Sequence, residues 1–197
     1  MNKSWFVADW HLGVNNFKSE PFNCRPFKDK DEHINFIIKK HNDLVKTEDL
    51  VYVIGDVIDR DAENYKNNLK LINEFNGRKI LIRGNHDRQI SDEEFKPYFR
   101  LIIPDKSGIL LGDSHRTYYL THYPSTAKLN VFNLVGHVHY AWKYQLNMLN
   151  IGLDANFLCP FSIERVRYDY DFIKSSYDKD LFAAYIEENA FYKKRVF

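Results

Sequence analysis

The spacing of apolar positions divides the chain into two halves of different character. Residues 4–9 (SWFVAD) read as a strand that ends at Asp9. Over 31–45, Ile34, Ile37, Ile38, His41, Leu44 and Val45 follow the i, i+3, i+4, i+7 stripe of an amphipathic helix. The continuous apolar run 50–54 predicts a buried strand that stops at Gly55-Asp56. A second helix is predicted over 62–76, with Tyr65, Leu69, Ile72 and Phe75 on one side and Gly77 placed to end it in a left-handed conformation. Residues 79–83 form another strand, running into Gly84-Asn85-His86-Asp87. Beyond that point the pattern turns strand-like, at 109–112, 117–121, 131–136 and 148–151, with little helix between. The tail, 178–194, reads as an amphipathic helix with Phe182, Tyr185 and Ile186 facing inward. Alternating strands and helices argue for a layered α/β fold, and no linker or repeat divides residues 1–197. The expectation is a single domain.

Composition narrows the classes without choosing among them. The 197 residues suffice for one well-buried domain and are tight for two. Lys plus Arg is 28 and Asp plus Glu 27, a net charge of +1, which offers no extended basic surface for nucleic acid. No apolar run approaches the roughly 20 residues of a membrane helix. The N-terminus meets Asp9 before a secretory apolar segment can form. Two cysteines, Cys24 and Cys159, make no disulfide framework and read as small buried side chains in a reducing compartment. Together these give a cytoplasmic expectation.

Eight histidines change the picture. Ligands in α/β sheets gather beyond the carboxyl ends of strands, and Asp9, Asp56, Asn85, His122 and His137 each follow an apolar strand. Asp9-Trp10-His11 and His137-Val138-His139 each place two ligand-type side chains on one side of an extended segment. Adding Asp56, Asn85 and His122 gives two carboxylates, one amide and four imidazoles, with no thiolate. That set is too large for one tetrahedral zinc ion. It suits two divalent ions sharing a bridging carboxylate, with about two positive charges left over to attract a phosphate ester. Each motif alone has a plain structural reading as a surface pair or a turn. Their common placement at strand ends carries the argument.

The ordered blocks resemble the calcineurin-like metallophosphoesterases. They are Asp9-Trp10-His11, Gly55-Asp56-Val57-Ile58-Asp59, Gly84-Asn85-His86-Asp87, His122 and Gly136-His137-Val138-His139. Two further motifs, Asn23-Cys24-Arg25-Pro26-Phe27 and Asn150-Ile151-Gly152-Leu153-Asp154, are similar to those of the small phosphoesterases of bacteria and phages. The resemblance implies a four-layer α/β/β/α sandwich of two mixed sheets. It implies one ion on Asp9, His11 and His139, a second on Asn85, His122 and His137, and Asp56 bridging them. Mn, Fe, Zn, Ni and Co all suit the donors, with Mn favoured. Hydroxide held between the ions would hydrolyse a phosphorylated small molecule or nucleotide-type substrate, a phosphodiester ahead of a monoester. His86 would be the catalytic histidine that holds no metal, oriented by Asp59. Asn85 and Arg60 would also contact the phosphate, although Asp59-Arg60-Asp61 departs from the Asp-Arg-Gly of the phosphoprotein phosphatase branch.

A nuclease is the competing enzymatic reading, since repair nucleases carry similar motifs. A metal-binding scaffold is the competing class, and the presence of His86 argues against it. The other histidines read as bystanders: His41 in the core, His33 solvated and His115 in a turn. Trp10, Phe27 and Tyr123 read as core aromatics beside the motifs, and the irregular 12–30 segment as a loop over the site.

Overall fold

A computed structural model describes residues 2–59, 65–112 and 116–176. In chain order these form β1 (Ser4–Val7), α1 (Lys30–Leu44), β2 (Leu50–Ile54), α2 (Tyr65–Lys70), β3 (Arg78–Ile82), α3 (Asp92–Phe95) and β4 (Leu101–Ile103). There follow β5 (Gly108–Gly112), β6 (Thr117–Thr121), β7 (Phe132–Val135), β8 (Tyr144–Gln145), β9 (Met148–Asn150), β10 (Phe161–Ser162) and α4 (Ile163–Ser176). The first sheet has the order β10-β1-β2-β3-β4 and the second β5-β6-β7-β9-β8. Strands β1 to β4 run parallel with β10 antiparallel at their edge. In the second sheet β6, β7 and β9 run parallel, flanked by antiparallel β5 and β8.

Alternation along β1 and β2 builds two apolar layers at once. Trp5, Val7, Val51 and Val53 point into a layer shared with Ile34 and Ile37 of α1, Leu69 of α2 and Phe95 of α3. Phe6, Ala8, Tyr52 and Ile54 point the other way, against Tyr118, Leu120, Phe132 and Leu134 of the second sheet. Helix α4 adds Val166 and Ile173 to this inter-sheet core. The chain is therefore an α/β sandwich of two mixed sheets flanked by helices, as expected.

Several local expectations hold for visible reasons. Asp29 caps α1 by accepting from the Glu32 amide at 2.9 Å. Gly77 takes φ 95°, where a side chain would strain the turn and meet Val51 Cγ2 at 2.6 Å. Trp10 is buried and stacks on Phe75 at 4.1 Å, with Tyr123 buried and Phe27 half-buried. Other expectations are corrected. The second helix is shorter than 62–76: α2 ends at Lys70 and one tighter helical turn, Leu71–Glu74, follows. His33 is fully buried rather than solvated, because Phe17 and Phe27 pack on its ring and Arg25 reaches its Nε2 at 3.0 Å. Cys24 is exposed and Cys159 half-exposed, each on a loop outside the apolar clusters. The stretch 163–176 is helical, where no helix was expected. The 178–194 helix, Arg60 and His115 lie outside the described residues.

His41 sits in the core, its Nε2 donating to the Asn76 carbonyl at 2.9 Å. Burial first, and Lys79 nearby, lower its pKa to about 4, while its hydrogen bond to Asn76 resists the shift. A folded pKa below the unfolded value gives stability that is present above about 6.5 and drains as pH falls toward 4. Between pH 6.5 and 5, metal-free wild type is expected to lose up to about 2 kcal/mol more than His41→Gln, at about 1.36 kcal/mol per unit. Denaturant unfolding of both proteins across that range checks it; parallel pH curves would exclude a neutral buried His41.

Candidate metal centre

The parallel strands of both sheets deliver their carboxyl ends to one place. Asp9 and His11 follow β1, Asp56 follows β2, Asn85 and His86 follow β3, His122 follows β6, and His137 and His139 follow β7. Pairing continues past the strands, with Asp9 N on Gly55 O at 3.1 Å and His11 N on Asp56 O at 2.9 Å. Asp9, His11, Asp56, His137 and His139 all have positive φ, between 47° and 74°. Non-glycine residues rarely sit there, and such strain concentrates at functional sites. Close packing enforces the arrangement. A Cβ on Gly84 would lie 2.2 Å from Asp56 Oδ1 and 2.8 Å from His122 Nε2.

The side chains form a buried floor and an open rim. Asp9, His11, Asp56 and His122 are buried, while Asn85 and His86 are half-buried and His137 is exposed. Asp9, His11 and His139 present ligand-type atoms within 4.8 Å of one another, and so do Asp56, His122 and His137. Asp56 lies between the two groups, its Oδ2 3.7 Å from His11 Nε2 and 3.3 Å from His122 Nε2. A third group, His11, Asp59 and His86, borders the first. There Asp59 Oδ2 lies 3.4 Å from His11 Nδ1 and 4.0 Å from His86 Nδ1. Thus Asp9, His11, Asp56, Asp59, His86, His122, His137 and His139 come together at one place, with Asn85 next to His86 in the chain.

The donor chemistry fits metal ions. His11 Nε2, Asn85 Oδ1 and His122 Nε2 are buried without a hydrogen-bond partner, a costly condition unless an ion accepts their lone pairs. His122 Nδ1 donates to the Ile54 carbonyl at 2.8 Å, which directs Nε2 at the site. Burial lowers the His11 pKa to about 4, so its imidazole is neutral and ligand-competent at pH 7. Burial also opposes charge on Asp56, yet His122 and His11 hold that carboxyl well below its usual range. Burial likewise disfavours charged His122, but the adjacent Asp56 and Asp9 raise its pKa to about 9, so an ion taken up on Nε2 would displace a proton there.

Four residues support the site: Asp87, Arg88, Asp105 and Tyr123, the last expected only as a core aromatic. Asp87 accepts from the amides of Asp56, Val57 and Gly84, each at 2.9 Å, and so ties the second block to the third. Tyr123 packs on His122 and His137 at 4.8 and 5.0 Å. Its hydroxyl donates to Asp105 at 2.6 Å, and Arg88 donates to both. Asp87 lies inside a quoted motif, so its position was visible. Asp105 carries no local signal.

A mixed two-sheet sandwich thus collects at its strand ends imidazole and carboxylate groups that could hold metal ions. Residues 3–151 match the calcineurin-like phosphoesterases, and the chain belongs to that family. An uncharacterized protein of Methanocaldococcus jannaschii is 30% identical over 135 residues, 63% of this chain and 75% of that protein. The Gene 66 protein of Mycobacterium phage L5 is 32% identical over 87 residues, 44% of this chain and 41% of its own length. The crystal structure of a protein of unknown function from Aquifex aeolicus shares the fold. Its TM-score is 0.66 at 23% identity, covering 85% of this chain and 99% of that one. No helix among the described residues is long and apolar enough to cross a membrane.

Proposed function

We propose that this protein hydrolyses phosphoester bonds with two divalent ions, manganese favoured, and that phosphodiesters are its preferred substrates. Asp9, His11 and His139 would hold one ion, and Asn85, His122 and His137 the other, with Asp56 between them. The carrying observation is the pair of donor groups that meet at Asp56, with His11 Nε2, Asn85 Oδ1 and His122 Nε2 buried and without a hydrogen-bond partner among the described residues. When bound, such ions supply a nucleophile near neutral pH and offset charge on the phosphoryl oxygens.

The chain's own residues account for the rest. His86 stands half-exposed at the rim, its amide fixed on Asp56 Oδ1 at 2.9 Å and its ring facing Asp59. From there its imidazole donates a proton to the departing oxygen. Asp59, 4.0 Å from its Nδ1, orients that ring. A cleft of about 480 Å³ opens beside Asp59 and His86, lined by Asn15, Asn16, Ser19 and Lys30 among others. It has room for the departing alcohol, and the exposed His137 leaves the opposite rim open for a second ester arm. Asn85 completes the phosphate contacts within the described residues, and Arg60 is assigned the same role from its motif. The substrate class is a phosphorylated small molecule or nucleotide; with a net charge of +1 the chain lacks the basic footprint of a nuclease. A single domain acting in the cytoplasm fits this reading.

Metal-free protein reconstituted separately with Mn, Fe, Zn, Ni and Co, then assayed on p-nitrophenyl phosphate, its bis-ester and a 2′,3′-cyclic nucleotide, tests it. The bis-ester is expected to turn over faster than the monoester. Monoester preference would reverse the substrate assignment, degradation of long DNA would favour the nuclease, and inactivity with every metal would favour a scaffold.

A further inference from the structure

The two loop motifs outside the metallophosphoesterase blocks meet in space. Asp154 lies 129 residues from Arg25, yet the pair is bidentate, with Nε on Oδ1 at 2.7 Å and Nη2 on Oδ2 at 2.9 Å. Both side chains are fully buried. The same Asp154 Oδ2 lies 2.7 Å from His139 Nδ1. An ionised carboxylate only accepts, so His139 donates from Nδ1, which leaves Nε2 as the nitrogen available to a ligand. The remaining donors of Arg25 reach the carbonyls of Asp9 at 2.7 Å and Trp10 at 3.1 Å. These carbonyls belong to the turn in which Asp9 and His11 hold positive φ. Asn150, from the second motif, donates to the carbonyls of His139 and Trp142, both at 2.7 Å. One connected set of hydrogen bonds therefore grips the backbone of Asp9 and Trp10, just before His11, and both the ring and the carbonyl of His139. Among the described residues no hydrogen bond runs from Arg25, Asp154 or Asn150 to Asn85, His122 or His137; His122 rests on the Ile54 carbonyl and Tyr123, and the His137 amide donates to the Asp9 carboxylate at 3.1 Å.

We propose that Arg25 and Asp154 are positioning residues dedicated to the Asp9–His11–His139 half of the site, fixing the tautomer of His139 and the turn that presents Asp9 and His11. The inference rests on the two-ion reading above. A carboxylate behind a ligating histidine raises its basicity and holds its ring in place, and loss of such a partner costs about 10–100-fold in metal affinity. Because Arg25 and Asp154 bond to Asp9, Trp10 and His139 and reach the other half only through the Asp9 carboxylate, their loss acts first on one ion. Placing Arg25 on the 12–30 loop also pins the wall of the cleft to the ligand turn, so the cleft and this half of the site form together.

The test is a calorimetric titration of metal-free protein with Mn²⁺, with electron paramagnetic resonance recorded along it. Wild type is expected to bind two ions with a coupled signal. Asp154→Asn, which keeps the shape and loses the paired charge, is expected to retain one ion at wild-type affinity. The other should weaken about 10–100-fold, with an isolated six-line spectrum at intermediate loading. Arg25→Lys, which keeps the charge and loses the fork, should show the same one-sided loss. Equal weakening of both ions, or unchanged binding of both in folded variants, overturns the positioning role. If wild type itself binds no second ion, the two-ion reading fails and takes this inference with it. Should neither variant fold, the imidazole ¹H–¹⁵N spectrum of metal-free wild type decides: Nδ1–H at His139 supports the assignment, and Nε2–H overturns it.

Discussion

Asp56→Asn is expected to leave the sandwich folded while turnover falls by about 10²–10⁴-fold, the several kcal/mol that correctly held ions contribute at about 1.36 kcal/mol per decade. The substitution is nearly isosteric, and its remaining oxygen can still accept the His86 amide that Asp56 Oδ1 holds at 2.9 Å. What it removes is the negative charge 3.3 Å from His122 Nε2 and 3.7 Å from His11 Nε2, a carboxylate beside members of both donor groups. Metal content of the purified variant is expected to fall below two ions per chain, with an unchanged circular dichroism spectrum. Full turnover with both ions bound would remove Asp56 from the bridging position.

His86→Ala is expected to behave in the opposite way with respect to metal. His86 belongs to neither of the two groups divided by Asp56, and its side chain is 21% exposed against 0% for His11 and His122. The variant should therefore bind both ions as wild type does. Turnover should fall by about 10²–10⁴-fold on esters of poorly acidic alcohols, the usual contribution of a general acid. The loss should be much smaller for p-nitrophenyl esters, whose leaving group needs little protonation. The comparison of the two substrate types in fully metallated protein carries the assignment. Unchanged turnover on the alkyl ester, or an equal loss on both, would take proton donation away from His86.

Much of this site was legible because its signals are local. A carboxylate or imidazole directly after an apolar run announces a strand end, and the glycine beside it announces close backbone approach. Gly55, Gly84 and Gly136 all sit where a Cβ would meet an atom of another strand end closer than 3.0 Å. The layered fold followed from the same alternation, since Val51 and Val53 serve one layer and Tyr52 and Ile54 the other. What escaped was information that only tertiary contact supplies. His33 lies off the apolar stripe of its own helix, and its burial comes from Phe17, Arg25 and Phe27 of a loop that a periodicity argument does not place. The two-residue strands β8 and β10 are too short to show an alternation at all. Helix α4 is different: Ile163, Val166, Tyr170 and Ile173 are spaced at three and four residues, a readable stripe that a strand-dominated view of the second half overlooks. The partnership of Arg25 with Asp154 had two visible motifs and no visible link between them. Only the fold supplies it.

A two-ion site requires both ions for turnover. Metal-free protein titrated with Mn²⁺, with bis-p-nitrophenyl phosphate hydrolysis followed at each addition, measures this directly. The expected curve shows little activity up to one equivalent, a rise to a plateau at two, and complete loss on chelation. Full activity at a single equivalent, or activity that survives chelation, would contradict a two-ion phosphoesterase built on Asp56.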